Sequence, residues 1–181
     1  MGLPKLTLIY MDKSLLTHAV HRAKAVTSES LVVVGAYGEQ YQLEAEKAGA
    51  KVIHNPQWSE GLASSLRIGI ASLSKNVEAA LVILPDQPFV PTQHLQKLVE
   101  TWQDTGTQLV FSRYQDILGA PCIIDRSLFE SVQTLRGDKG ARALVRDGMT
   151  VAEVELEHFQ DIDTPEEARQ LAEGRGQKAE G

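Results

Sequence analysis

The 181 residues match the length of one domain, and such a chain buries roughly 70% of the surface that its unfolded form exposes. Its 43% hydrophobic and 23% charged residues are typical of a globular protein and exclude a fibrous repeat or a disordered polymer. The formal net charge of −6 argues against a nucleic-acid surface, because phosphate backbones favour a basic partner. A small ligand is the better expectation.

The apolar runs are too short for a membrane span, which needs about 20 residues. The start MGLPKLTLIYMDK lacks the features of a secretory signal, so we expect a cytoplasmic protein with no membrane partner. Cys122 is the single cysteine and has no Cys or His at metal-ligand spacing, so it is interpreted as a small apolar residue.

Predicted strands and helices alternate along the chain. Apolar residues at helical spacing predict a first helix between Leu15 and Val26. Strands follow at 31–35 and 50–53, a helix at 62–73, a strand at 80–84, a helix around 95–99, and strands at 108–112, 121–124 and 150–154. This order is typical of an α/β fold with a mostly parallel sheet, and the Val-rich strands indicate burial on both faces.

Two further helices are predicted near the C-terminus. One occupies 138–147, with Gly148 closing it. The other begins at Thr164, where Pro165 and Glu167 complete an N-terminal capping signature, and ends at Gly174. The domain therefore occupies 1–173, and the small polar residues of 174–181 predict a disordered tail.

Asp86 is the first candidate site residue. It follows an apolar strand in LPDQPFV, and ligands of open α/β sheets bind beyond the carboxyl ends of such strands. A carboxylate there suits a hard cation such as Mg²⁺. The alternative is an ordinary turn aspartate.

Two more acids, Asp161 and Asp163, lie in DIDTPEE just before the last predicted helix. A second carboxylate close to Asp86 would complete a Mg²⁺ site that also binds substrate phosphates. The competing interpretation is that acids at a helix start only favour the positive end of the helix dipole, as we expect for Glu166 and Glu167. For Asp161 and Asp163, a function is favoured only if Asp86 lies nearby.

Two helix starts offer polar groups to a ligand. In NPQWSEGLASSLRIG, Ser64 and Ser65 could bind a base or phosphate oxygen, or Ser could cap its own helix with Trp58 in the core. In RGDKGARALVRDG, Lys139 or Arg142 could meet an anionic substrate, or this segment could be a solvated charged face.

These motifs occur in the order of one family. MGLPK, VVVG, NPQWSEGLASSL, LPDQPFV, GAP, GDKGAR and DIDTPEE cover nearly the whole chain. Together they resemble the molybdenum cofactor cytidylyltransferases, which belong to a nucleotidyltransferase family with the molybdopterin guanylyltransferases. The pair NPxWxxGxxSSL and LxDQPxV is the most specific part of this resemblance.

The resemblance implies a Rossmann-like nucleotidyltransferase fold, a three-layer sandwich that transfers CMP from CTP with Mg²⁺ to the phosphate of molybdopterin. Asp86 would be a catalytic metal acid, Asp161 the second metal acid and Asp163 the reserve. Lys5 would hold the phosphates. Gly35, Ser64 and Ser65 would surround the nucleotide, and the acceptor side would include the following four residues: Gly137, Asp138, Gly140 and Arg142. A molybdoenzyme or its maturation factor is the implied protein partner.

The chain departs from the family pattern in two places. Family members begin with a strand and a glycine-rich loop resembling LAAGxSxRMGxxK, of which this chain has only the end, MGLPK. We therefore expect a shortened N-terminus, and either unpaired strand edges or two loosely joined halves of the sheet. Ala120 stands in GAP where the family often has histidine. The alternatives are therefore GTP or another phosphorylated acceptor, or an inactive nucleotide-binding homologue.

Overall fold

Eight strands form the sheets of the computed structural model, which describes residues 5–157. Their bounds are β1 Ile9–Tyr10, β2 Lys13–Ser14, β3 Leu31–Val34, β4 Lys51–His54, β5 Ala79–Val82, β6 Leu109–Tyr114, β7 Ile117–Asp125 and β8 Ala152–Glu155. Apolar runs form most of the buried part of the longer strands β6 and β7, as expected for buried strands.

Five α-helices lie between these strands in the same part of the chain. They are α1 Leu15–Lys24, α2 Gly38–Lys47, α3 Leu62–Ala71, α4 Thr92–Thr105 and α5 Phe129–Val132. Short 3-10 helices occur at Lys5–Thr7, Trp58–Glu60, Arg126–Leu128 and Ala141–Leu144. Among residues 5–157, none of the helices combines the length and the apolar character that a bilayer span requires.

The larger sheet has four strands in the order β5-β7-β6-β8. Strand β6 pairs parallel with β8, whereas β7 runs antiparallel to both β5 and β6. Three strands therefore point the same way and one is reversed. A separate pair, β3 and β4, is parallel, with Val32 opposite Val52.

Helices cover both faces of the sheets and produce a three-layer sandwich. Alternate residues of β6 divide between two cores: Phe111 packs with α3 and α5 on one face, and Val110 packs with α4 on the other. Helices α1 and α2 cover β3 and β4 in a third cluster that contains Val34. This architecture agrees with the fold class expected from the alternating pattern.

Helix α3 joins the two sheets. On one side, Gly69 lies against Val33 of β3. On the other, Ile70 packs in the cluster that includes Val82 of β5. Strands β3 and β5 have the composition of central strands, yet of their eight residues only Val34 is fully buried. Within the described ranges, no strand pairs with the second edge of either one.

The predicted strands agree with the structure to within a few residues, except that β7 begins at Ile117 rather than at 121. The predicted helix at 138–147 is wrong. Only a 3-10 turn forms, at Ala141–Leu144, where Ala143 N donates to Gly140 O. The reason is tertiary: the residues before this turn are bonded to α3, which holds them away from a helical path. The predictions for residues 158–181 lie outside the described residues.

Helix α2 was not predicted. Its sequence GEQYQLEAEK has a weak apolar stripe, of which only Tyr41 and Ala45 are buried. The preceding Tyr37 has φ 60, a left-handed conformation that is uncommon for a residue other than glycine, asparagine or aspartate. Nothing in the local pattern therefore marks the start of this helix.

Candidate functional site

The candidate site lies where β3, β4 and β5 end. In parallel α/β sheets the carboxyl ends of the strands meet at one edge, where ligands bind. Three segments leave the sheets at this edge: Gly35 follows β3, Asn55 follows β4, and Leu84 to Asp86 follow β5. They are the segments that the sequence analysis selected as binding motifs.

Asn55 organises the loop after β4. Its side chain is 3% exposed, and its amide Nδ2 donates to Ser64 Oγ at 2.8 Å and to Ser65 Oγ at 3.0 Å. Its Oδ1 accepts the backbone N–H of Gln57 at 2.9 Å, which closes an Asx turn. One buried amide thus fixes the loop and the first turn of α3 together.

The two serines differ in the hydrogen bonds that they can still make. Ser64 is buried, and its hydroxyl accepts from Asn55 and donates to Gly61 O at 2.9 Å. Ser65 is half-buried and accepts from Asn55. No residue in the described part of the chain accepts a hydrogen bond from the Ser65 hydroxyl. This O–H group can therefore donate a hydrogen bond to a ligand.

The start of α3 is bonded to the loop that contains Gly137 and Asp138. Leu62 N donates to Asp138 Oδ1 at 3.4 Å, and Ala63 N donates to Gly137 O at 3.0 Å. These are two of the N–H groups that a helix start leaves without partners. The predicted nucleotide segment and the predicted acceptor segment therefore meet at one point, and the Asp138 carboxylate caps α3.

Arg67 strengthens the same junction from the next turn of α3. Its Nη1 donates to Leu135 O at 2.8 Å, and its Nη2 pairs with Glu60 Oε2 at 2.7 Å. The arginine thus connects the 3-10 turn before α3 with the chain just before Gly137. Sequence reasoning had no signal for this long-range link.

Gly35 lies against Trp58. A Cβ atom built on Gly35 would come within 2.9 Å of Trp58 Cγ, so only glycine fits there. Trp58 is 52% exposed, which corrects the interpretation that it belongs to the core. The predicted role of Gly35 at the nucleotide stays a prediction.

An apolar cavity of about 140 Å³ lies beside the junction. Its lining includes Leu62, Leu66, Leu84, Phe111, Ala120 and Cys122. Gly140 and Arg142, both predicted on the acceptor side, also line it, and Arg142 is exposed. Burial raises the pKa of the Cys122 thiol to about 12, so Cys122 is a neutral apolar wall rather than a nucleophile.

Asp86 lies in a turn at the end of β5, in which Gln87 N donates to Leu84 O at 3.4 Å. The carboxylate is half-buried. Among the described residues no three acids, histidines or cysteines cluster as a metal site. One carboxylate nevertheless suits Mg²⁺, which proteins often hold through one or two acids together with substrate phosphates.

Three predicted residues cannot be placed in this geometry. Asp161 and Asp163 lie outside the described residues, and only the backbone of Lys5 is described, at the start of the first 3-10 helix. Their assigned roles stay predictions.

A comparison with known protein families decides the class of this fold. The model of the MobA-like NTP transferase domain matches residues 1–156. The chain belongs to this family. This MobA-like protein is therefore a nucleotidyltransferase, the class that the paired loop motifs indicated.

Two curated relatives resemble this MobA-like chain. The purine catabolism protein PucB of Bacillus subtilis (strain 168) is 31% identical over 99 residues, which are 52% of this chain and 47% of PucB. The chain thus aligns with about half the length of that relative. The molybdenum cofactor cytidylyltransferase of Escherichia coli (strain K12) is 23% identical over 170 residues, 92% of this chain and 86% of that enzyme.

Solved structures, among them that of a nucleotidyl transferase, confirm the Rossmann-like nucleotidyltransferase fold. Rv0371c from Mycobacterium tuberculosis H37Rv superposes with a TM-score of 0.78 at 26% identity, covering 96% of this chain and 91% of that one. The same mycobacterial protein has also been solved as a manganese complex, at 25% identity and the same TM-score over 94% of this chain and 91% of that one.

Proposed function

We propose that this chain transfers CMP from CTP to the terminal phosphate of molybdopterin. In this reaction an acceptor phosphate oxygen bonds to the α-phosphorus of CTP, the bond from that phosphorus to the bridging oxygen breaks, and pyrophosphate leaves with the electron pair. The similarity to the cytidylyltransferase over 92% of the chain supports this choice among family activities.

The observation that carries the proposal is the junction at the start of α3. The nucleotide-side helix and the acceptor-side loop are bonded through Ala63 N and Gly137 O. Two substrates bound on either side would share a boundary, which is what an in-line transfer requires. Such catalysis depends on positioning and electrostatic support rather than on a covalent protein intermediate.

We assign Asp86 to a Mg²⁺ ion, together with Asp161, or Asp163 in its place. The manganese complex of the mycobacterial relative supports a divalent metal. When bound, the ion would supply positive charge against the charge that develops on pyrophosphate. Lys5 would add a second positive charge at the phosphates, and the Ser65 hydroxyl would donate a hydrogen bond to the nucleotide.

Ser65→Ala tests the nucleotide side. We expect CTP affinity, measured by isothermal titration calorimetry, to fall about tenfold, since a ligand group would lose a hydrogen-bond donor. Ser72→Ala, at the other end of α3, is the matched control, because within the described part of the chain its hydroxyl bonds back to Ile68 O alone. Unchanged CTP affinity in Ser65→Ala would contradict the assignment, and tighter binding of GTP than of CTP by the wild type would favour a guanylyltransferase.

A second candidate is nucleotidyl transfer to a different phosphorylated acceptor. The cavity beside Gly140 is lined almost wholly by apolar side chains, and Ala120 offers no polar side chain there. A pterin carries many hydrogen-bonding groups, whose burial without partners is costly. An acceptor with a compact apolar group would suit this cavity better, and pyrophosphate release with each acceptor distinguishes the two.

We also propose that one further strand, followed by a glycine-rich phosphate loop, fits between β3 and β5. The apolar composition, partial burial and open edges of these strands support it. A protein extended at its N-terminus by such a strand and loop should melt at a higher temperature and bind CTP more tightly. Extension without either gain would count against a strand at this position.

A further inference from the structure

Arg22 of α1 is bonded to the loop that follows Asp86, although it is distant from that loop in sequence. Its Nη1 donates to Gln87 O and to Val90 O, both at 2.8 Å. The same Gln87 carbonyl accepts Val90 N at 3.4 Å, so the guanidinium closes the turn from Gln87 to Val90. This turn begins where the Leu84 to Gln87 turn ends, and Gln87 belongs to both.

The helix holds Arg22 firmly. Its Nε donates to His18 O at 3.3 Å, and His18 Nε2 hydrogen-bonds Tyr10 O at 2.7 Å. The Tyr10 ring in turn makes an edge-to-face contact with Phe89, at 5.6 Å between ring centroids. Both ends of the link between α1 and the loop are therefore anchored.

Among residues 5–157, no acid pairs with the charge of Arg22. In the described part of the chain its partners are carbonyl oxygens alone, and Nη2 is buried without a partner. Burial lowers the pKa of Arg22 to about 10, which still leaves it charged at neutral pH. Arg22 as a whole is half-buried, and the cost of partly removing a cation from water is offset by its hydrogen bonds to the loop carbonyls.

We infer that Arg22 is a positioning residue for Asp86. By holding Gln87 O and Val90 O, it fixes the backbone directly after the carboxylate and so sets the direction in which Asp86 faces the metal and the nucleotide phosphates. This inference rests on the proposed metal role of Asp86. Arg22 itself touches neither substrate nor metal in this assignment.

The test combines hydrogen exchange with metal titration on Arg22→Gln and Arg22→Lys. In Arg22→Gln, the amides of Gln87, Phe89 and Val90 should exchange at least about tenfold faster, because hydrogen bonds from a charged donor are lost. Amides of β6 should not change. The Mn²⁺ concentration that half-saturates the protein in the presence of CTP should rise about tenfold, and Arg22→Lys should lie between this variant and the wild type.

Arg126→Gln is the matched control. Arg126 Nη1 donates to Val77 O at 2.7 Å, near the opposite end of β5, and is exposed. It should alter neither the loop amides nor the metal titration. An equal rise in amide exchange across β6 would mean that Arg22 only stabilises the fold. Unchanged exchange of the loop amides, or an unchanged Mn²⁺ titration, in Arg22→Gln would overturn the inference. If instead the Asp86→Asn variant binds Mn²⁺ as tightly as the wild type does, the proposed metal role of Asp86 is refuted.

Discussion

Asp86→Asn is expected to lower the rate of Mg²⁺-dependent pyrophosphate release by at least about a hundredfold. The substitution keeps the size and shape of the side chain but removes the negative charge, so the proposed metal site would lose the carboxylate of Asp86. Because Asp86 lies in a surface turn and is half-buried, the melting temperature should change by only a few degrees. Steady-state turnover with CTP and thermal unfolding of the same preparation provide the two measurements.

Asp104→Asn is the matched control for this experiment. Asp104 is an exposed carboxylate near the end of α4, away from the loops after β4 and β5. Its removal changes the net charge by the same amount, and turnover should stay at the wild-type rate. Wild-type activity in Asp86→Asn would remove the metal site from the proposed mechanism.

Gly61→Ala is expected to destabilise the fold by about 3 kcal/mol, the sum of backbone strain and overpacking. Gly61 has φ 100 and ψ −176, a conformation open almost only to glycine. An added Cβ would also come within 2.7 Å of the Gly137 carbonyl carbon. The methyl group would therefore separate the acceptor-side loop from the start of α3.

The melting temperature of Gly61→Ala should fall by roughly 6–12 °C for a domain of this size, and CTP affinity should fall with it because Ser65 lies on the displaced helix turn. Gly106→Ala and Gly148→Ala are controls with positive φ, 61 and 78, but no atom within 4 Å of the added Cβ. Each should cost about 1 kcal/mol. Equal losses in all three variants would show that close packing at Gly61 contributes nothing.

Chemical pattern alone predicts much of this architecture. Apolar runs and helical spacing located α1, α3 and α4 and most of the larger strands, because these signals arise from residues that share one face of one element. Helix α2 and the 3-10 turn at Ala141–Leu144 were not predicted correctly. Few residues of α2 reach the core, so its apolar pattern is weak. In the 3-10 turn, contacts with α3 override the local preference for an α-helix.

The candidate site shows the same division. Asp86 and Ser65 were selected from their motifs, since an acid after a strand and a hydroxyl at a helix start are chemically suited to metals and phosphates, whereas Gly137 was selected only from the family resemblance. Asn55 could have been found as well, because an Asn-Pro pair after a strand is typical of an Asx turn. The roles of Arg22 and Arg67 could not have been found. Each donates to backbone carbonyls, which every residue has, so the sequence does not mark the partner.

By itself, the sequence determined the α/β class and selected the loops that we propose hold the chemistry, because both follow from interactions between residues close in the chain. Only the tertiary structure decided which polar groups of these loops are already hydrogen-bonded within the protein. Asp138 caps a helix that begins 76 residues earlier at Leu62, Ser64 is hydrogen-bonded inside the protein, and Ser65 keeps a donor. Such pairings depend on how distant elements pack, and no local pattern specifies them.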